Sequence, residues 1–233
     1  MHYFTTSAMG KIPSVSLLAL MAITSHGWAQ HSDVEFSYRH GVIEFEFGAE
    51  GPVFEGDFPT SGPLDGFTNE PGFASETAEG MGINPDDRIS YHVLGPLLYH
   101  DGLDFSPTSA TVTGDDQPNA GSVVISSATT VGDDLGGLIG QANGTGDLHA
   151  DLGWLLSVPA ATGAYGVPIA LETDEPGIVD SDPFYLVFNY GLNEETFEGA
   201  VAEFASMIPE PATPAVAAAA GCLALTRWRR QRG

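Results

Sequence analysis

The amino-acid sequence predicts an all-β domain, sandwich-like or jelly-roll-like, finished by one C-terminal amphipathic helix. Three observations lead there. Apolar and polar residues alternate through Val34–Phe47 and again through Arg88–Leu94, the two-residue period of a half-buried strand. Short apolar runs then recur between residues 110 and 190, separated by clusters of Gly, Asp and Thr. A clear helical period occurs once, after Asn193.

Taken in order, Val34, Phe36 and Tyr38 share one face of a strand, and Ile43, Phe45 and Phe47 share a face of the next. His40-Gly41 sits between them, where glycine tolerates positive φ, so the pair reads as a hairpin. Residues 48–87 are rich in Gly, Pro, Asp and Glu and read as a long loop with one short strand. Arg88–Leu94 is the next strand, and Leu97–Phe105 reads as a second hairpin turning at Asp101-Gly102. Further strands are expected at Ala110–Thr113, Ser122–Ser126, Leu148–Val158, Gly166–Glu172 and Phe184–Asn189, with turns at Thr113–Asp116 and Gly132–Asp134. Residues 131–141 are apolar but loaded with glycine and fit neither period cleanly. Asn193 is a suitable helix N-cap, Glu194 and Glu195 favour the positive end of the dipole, and Leu192 with Phe197 fits a hydrophobic staple. Phe197, Ala200, Val201 and Phe204 then make one apolar stripe.

The distribution of charge bounds the function more than its total. Of 233 residues, 7 are Lys or Arg and 31 are Asp or Glu. Lys11 lies near the start and Arg227, Arg229, Arg230 and Arg232 near the end, which leaves Arg39 and Arg88 as the only bases between Gln30 and Ile208. Only Glu210 among the acids lies outside that stretch, so the body carries 30 acids against two bases. A body near −28 repels nucleic acid, which needs Lys and Arg to displace its counterions. The one cysteine, Cys222, lies in the tail, so the body holds no disulfide.

The ends read as addresses. Lys11, the apolar run Val15–Ile23 and the small residues Gly27 and Ala29 give residues 1–29 the form of a secretory leader cleaved before Gln30. The acidic β domain then occupies residues 30–207. In residues 208–233, Pro209-Glu210-Pro211 interrupts helix continuation, Ala212–Leu225 is apolar, and Arg227, Arg229, Arg230 and Arg232 favour the cytoplasmic side. The apolar run is expected to form a short tail helix, marginal for a bilayer core of about 30 Å.

That order of parts resembles the PEP-CTERM sorting signal. The resemblance implies a membrane tail, recognised and processed by an exosortase-type enzyme, and delivery to the cell surface or extracellular matrix. The body resembles a group of uncharacterised exported proteins of planctomycete-type bacteria, through Gly95–Gly102 (GPLLYHDG), Gly163–Tyr165 (GAY) and Asp180–Leu192 (DSDPFYLVFNYGL). That group brings no activity with it.

Chemistry within the body rests on histidines beside acids. His31 with Asp33, and His149 with Asp151, stand two apart, so each pair shares a strand face; His100 adjoins Asp101. Convergence of His31, Asp33, His100, His149 and Asp151 would make a site for zinc or copper. The alternative is surface histidines among the acids that dominate this chain. The pairs Asp115/Asp116, Asp133/Asp134 and Asp180/Asp182 suit calcium by ligand type but match no EF-hand spacing. Tyr91, Tyr99, Trp154, Tyr165 and Tyr185 could stack on an extracellular polysaccharide or pack in the core. The body has no Gly-x-Ser-x-Gly elbow, no cysteine nucleophile and no P-loop lysine. A non-enzymatic role in structure or interaction, with polysaccharide or other surface proteins as partners, is therefore the expectation. A carbohydrate- or divalent-metal-binding module is the alternative.

Overall fold

The computed structural model describes residues 33–46, 51–116 and 121–208. The leader, His31, Phe47 and everything from Pro209 onward lie outside the described residues. In chain order the strands are β1 (Val34–Arg39), β2 (Val42–Phe45), β3 (Val53–Asp57), β4 (Phe67–Thr68), β5 (Phe73–Ser75), β6 (Arg88–Val93) and β7 (Leu98–His100). They continue with β8 (Thr111–Asp116), β9 (Gly121–Ser126), β10 (Gly136–Gln141), β11 (Leu148–Ala150), β12 (Trp154–Leu156), β13 (Gly163–Thr173) and β14 (Phe184–Tyr190), before the helix α1 (Glu194–Met207). The domain is all-β and sandwich-like, as the alternation predicts.

Three sheets form. One has the order β11-β5-β1-β2, a second β10-β6-β13-β14-β3 with β7 also on β13, and a third β4-β12-β8-β9. Most pairs are antiparallel, but β1 runs parallel to β5 and β14 parallel to β3. The strand expected at Gly166–Glu172 is β13, whose Tyr165, Val167, Ile169 and Leu171 are fully buried in the main core. That core also takes Trp154, which packs on Tyr91 and Phe188 with ring centroids 5.5 and 5.6 Å apart.

The opposite face of the second sheet is divided. Phe197, Ala200, Val201 and Phe204 of α1 pack on Val53, Ala164, Tyr185 and Val187, so the stripe predicted for the helix docks on β3, β13 and β14. Gly166 makes this approach possible, because a Cβ there would stand 2.1 Å from the Phe204 ring. Asn193 caps the helix by accepting from the Thr196 N–H, and Leu192 joins the Phe197 cluster. The remainder of that face, over β10, β6 and the far end of β13, forms a groove that no helix or strand among the described residues covers.

Several boundaries differ from the sequence reading, each for a tertiary reason. Residues 48–87 contain three strands, not one, because β3, β4 and β5 draw partners from β14, β12 and β1. The Asp101-Gly102 segment is not a regular hairpin: β7 pairs with β13, and only an isolated bridge links His100 to Phe105. There Asp101 accepts from the Leu103 and Asp104 N–H groups and the Ser106 hydroxyl, which holds its carboxyl below the usual range. The expected Thr113–Asp116 turn lies inside β8, where the Asp115 N–H donates to the Gly153 carbonyl. Leu148–Val158 is two strands in different sheets, broken around Gly153, which sits against the Asp115 carboxylate. Residues 136–141 resolve as β10, with a bulge between Leu138 and Gly140. Among the described residues no helix is long and apolar enough to cross a membrane.

Candidate functional site

Strand register assembles part of the predicted His/Asp set. β5 lies between β11 and β1, with Phe73 opposite both Val34 and Ala150. One residue before Phe73, Gly72 accepts from the Val34 N–H, and the carboxylates of Asp33 and Asp151 converge over it. A Cβ on Gly72 would lie 2.8 Å from an oxygen of each, so the two acids can share this space only above glycine.

His149 stands beside them on β11. Its Nε2 lies 3.8 Å from Asp33 Oδ2 and 3.8 Å from Asp151 Oδ1, while Nδ1 lies 3.8 Å from Glu76 Oε1. Glu76, just after β5, is a member the sequence reading missed; nothing in its spacing to His149 could have revealed a neighbour made by strand pairing. The surroundings are more acidic still. Burial, then repulsion from Glu79, Glu46, Asp33 and Glu76, pushes the Glu35 carboxyl above its ordinary value. At these distances the imidazole is an ion-pair partner for three carboxylates, and no group of three or more His, Cys, Asp or Glu among the described residues is placed to hold a metal ion.

His100 does not join this set. It ends β7 in the second sheet, 2% exposed. The Gly102 N–H donates to Nδ1 at 3.1 Å, which leaves Nε2 to carry the proton it shares with Glu203 Oε2 of α1 at 3.2 Å. Phe105 packs edge-on against the ring at 5.1 Å. Nδ1 thus holds the loop that follows β7, and Nε2 ties the strand to the helix. His31 lies outside the described residues, as do Pro209, Glu210, Pro211, Arg227, Arg229, Arg230 and Arg232.

The other candidates resolve separately. Asp115 accepts from the Gly153 N–H and so ties β8 to the break between β11 and β12, while Asp133 accepts from the Thr130 N–H within its own loop. The five aromatics considered as a stacking platform are core: Tyr91, Trp154 and Tyr165 are fully buried, and Tyr99 and Tyr185 are 8% exposed.

A second site was absent from the sequence reading. The uncovered part of the second sheet's outer face is a groove of about 620 Å³ lined by Arg88, Ser90, His92, Asp134, Gly136 and Glu172, among others. It follows from the alternation of β6: Ile89, Tyr91 and Val93 face the core, so Arg88, Ser90 and His92 face out. Register then sets Glu172 of β13 and Leu138 of β10 opposite Ser90, and Gly136 opposite His92. Gly136 lets β10 close on β6, since a Cβ there would meet the Tyr91 carbonyl at 2.5 Å. One of the two bases of the body thus stands in a groove that also offers a hydroxyl, an imidazole and carboxylates. Its signal was present in the sequence as the polar half of the Arg88–Val93 alternation.

In comparisons with known proteins, no protein family, no curated protein and no solved structure matches this chain.

Proposed function

We propose that this chain is an exported protein of the cell surface or extracellular matrix, structural or interactive in role rather than catalytic, and sorted by its C-terminal signal. The observation that carries the reading is the order of parts after Ile208: Pro209-Glu210-Pro211, an apolar segment, then Arg227, Arg229, Arg230 and Arg232. The acidity of the body supports it, since a domain near −28 stays soluble outside the cell and is repelled by anionic head groups and nucleic acid. An exosortase-type enzyme is the processing partner this implies. Replacing Pro209-Glu210-Pro211 with three alanines is expected to leave unprocessed protein in the inner membrane. Normal processing and release of that variant would overturn the sorting role.

The groove over β6 favours a second reading, a module binding neutral polysaccharide. Sugar hydroxyls both donate and accept, and Arg88, Ser90 and His92 stand there beside Asp134 and Glu172. A charged ligand of either sign meets an unfavourable partner in the same groove. Affinity electrophoresis in neutral polysaccharides tests this, with retardation expected to fall in Arg88→Ala and Glu172→Gln; retardation of neither wild type nor variants would sink it. The divalent-cation form of the module would require Asp33, Glu76, His149 and Asp151 to close around the ion from their present 3.8 Å spacing. Titration calorimetry with zinc, copper and calcium, wild type against His149→Ala, checks it, and a flat wild-type isotherm for all three would remove it.

A further inference from the structure

We infer that the open edge of β9 is a self-association surface, on which a second copy of this chain adds its own β9 antiparallel. The direction of the backbone groups follows from the β8–β9 ladder. Thr111 pairs with Ser126, yet the Thr111 N–H and C=O bond Ser157, while the Ser126 C=O accepts from Leu97 and its N–H donates to Thr129. That pair therefore exchanges no bonds, and in an antiparallel ladder the alternate positions behave alike. Val124 and Ser122, two and four residues earlier, turn their N–H and C=O groups away from β8, where no described residue meets them.

Free edges are ordinarily blunted by shortness, charge, proline, a bulge or a cover. The other sheet edges show these devices. Val179 covers β2, β4 and β11 have two and three residues, β3 carries Glu55 and Asp57, and β10 is bulged. Among the described residues β9 shows none of them before Ser126, whose outward groups Leu97 and Thr129 occupy: Gly121–Ser126 is six residues long, without charge or proline, and the uncharged run continues to Val131. An apolar row leads to it across the outer face of the third sheet. Phe67 pairs with Leu155, Leu155 with Thr113 and Thr113 with Val124, and the three apolar members are 38%, 47% and 53% exposed.

The composition of the strand selects the occupant. β9 offers a partner no charge of either sign, only the open groups of Ser122 and Val124 between small uncharged side chains, while the acidic bodies behind it oppose the pairing at low salt. The fitting partner is extended, uncharged and equally open at its edge, which describes β9 of another copy. A two-fold axis at Val123 sets Ser122 opposite Val124 of the second copy, twice. Each pair exchanges an N–H···O bond in both directions, and a small hydroxyl stands beside each valine. The two four-stranded sheets then become one of eight strands. Because both bodies are strongly negative, pairing strengthens as salt shortens the screening length from about 8 Å at 0.15 M to about 3 Å at 1 M.

The test uses the full chain in a mild detergent. Sedimentation is expected to show a monomer–dimer equilibrium that tightens with sodium chloride. Amide exchange at Ser122 and Val124 should be slow in concentrated protein and fast after dilution. Val124→Pro removes an N–H that β8 does not use, and it should weaken dimerisation at least about tenfold, or about 1.4 kcal/mol, with unchanged circular dichroism. If that variant misfolds, Ser122→Pro asks the same question at the neighbouring donor. Concentration-independent exchange at both amides, or equal association of wild type and a folded proline variant, would overturn the proposal.

Discussion

His100 and His149 both belong to three-residue strands and both have acids for neighbours, but the fold treats them oppositely. His100 is sealed against Phe105 with each ring nitrogen bonded, one to a backbone N–H and one to Glu203. His149 is more than half exposed, and its three carboxylate neighbours all stand at 3.8 Å. The first is a packing residue whose polarity has been satisfied. The second is an electrostatic residue whose packing hardly matters. An acid next to a histidine in sequence says little about which outcome follows; a helix laid over the strand decides it.

This contrast can be broken at four points of decreasing size. His100→Ala opens a cavity and strands the Gly102 N–H, and it is expected to cost about 3 kcal/mol in urea unfolding. A loss near zero would mean that the α1 side of the sheet does not rest on this ring. Gly166→Ala places a methyl group against Phe204 and should cost about 1–3 kcal/mol by the same measurement, with the helix released first in amide exchange.

On the acidic side the sign reverses. The Glu35 carboxyl is raised in the folded state, so its ionised form disfavours folding. Glu35→Gln should therefore stabilise the protein at pH 7. That advantage should vanish below the usual carboxylate value, where wild-type Glu35 is protonated in both states. Denaturation at pH 7 and at about pH 4 compares the two. An advantage that persists at the lower pH would locate the effect in packing instead of charge. The smallest effect is expected for His149→Ala, within about 0.5 kcal/mol at neutral pH, since exposed ion pairs contribute little. A larger loss would make that corner a structural clamp.

What the sequence disclosed follows the range of each interaction. The β1–β2 hairpin was legible because its register is local: Phe36 meets Phe45 and Tyr38 meets Ile43 across His40-Gly41, both with positive φ. The helix was legible through its cap and stripe. Strands recruited from a distance were not. β5 is three residues whose existence depends on β1 and β11, and β8 runs through a Gly-Asp-Asp segment because Gly153 supplies a partner. The candidate site divides in the same way. Asp151 could be paired with His149 by alternation alone, but Asp33 and Glu76 arrive through the pairing of three strands, over a glycine that spacing does not mark out.

The position of α1 also determines how much trimming the body can survive. Among the described residues, the last member of either buried cluster to lie fully inside is Phe204. Removal of everything beyond Ile208 would leave every described member of both clusters in place. A cut a few residues earlier would take Phe204 with it and bare Tyr185 and Val187 to water. The margin between a finished protein and a damaged one is about one turn of helix.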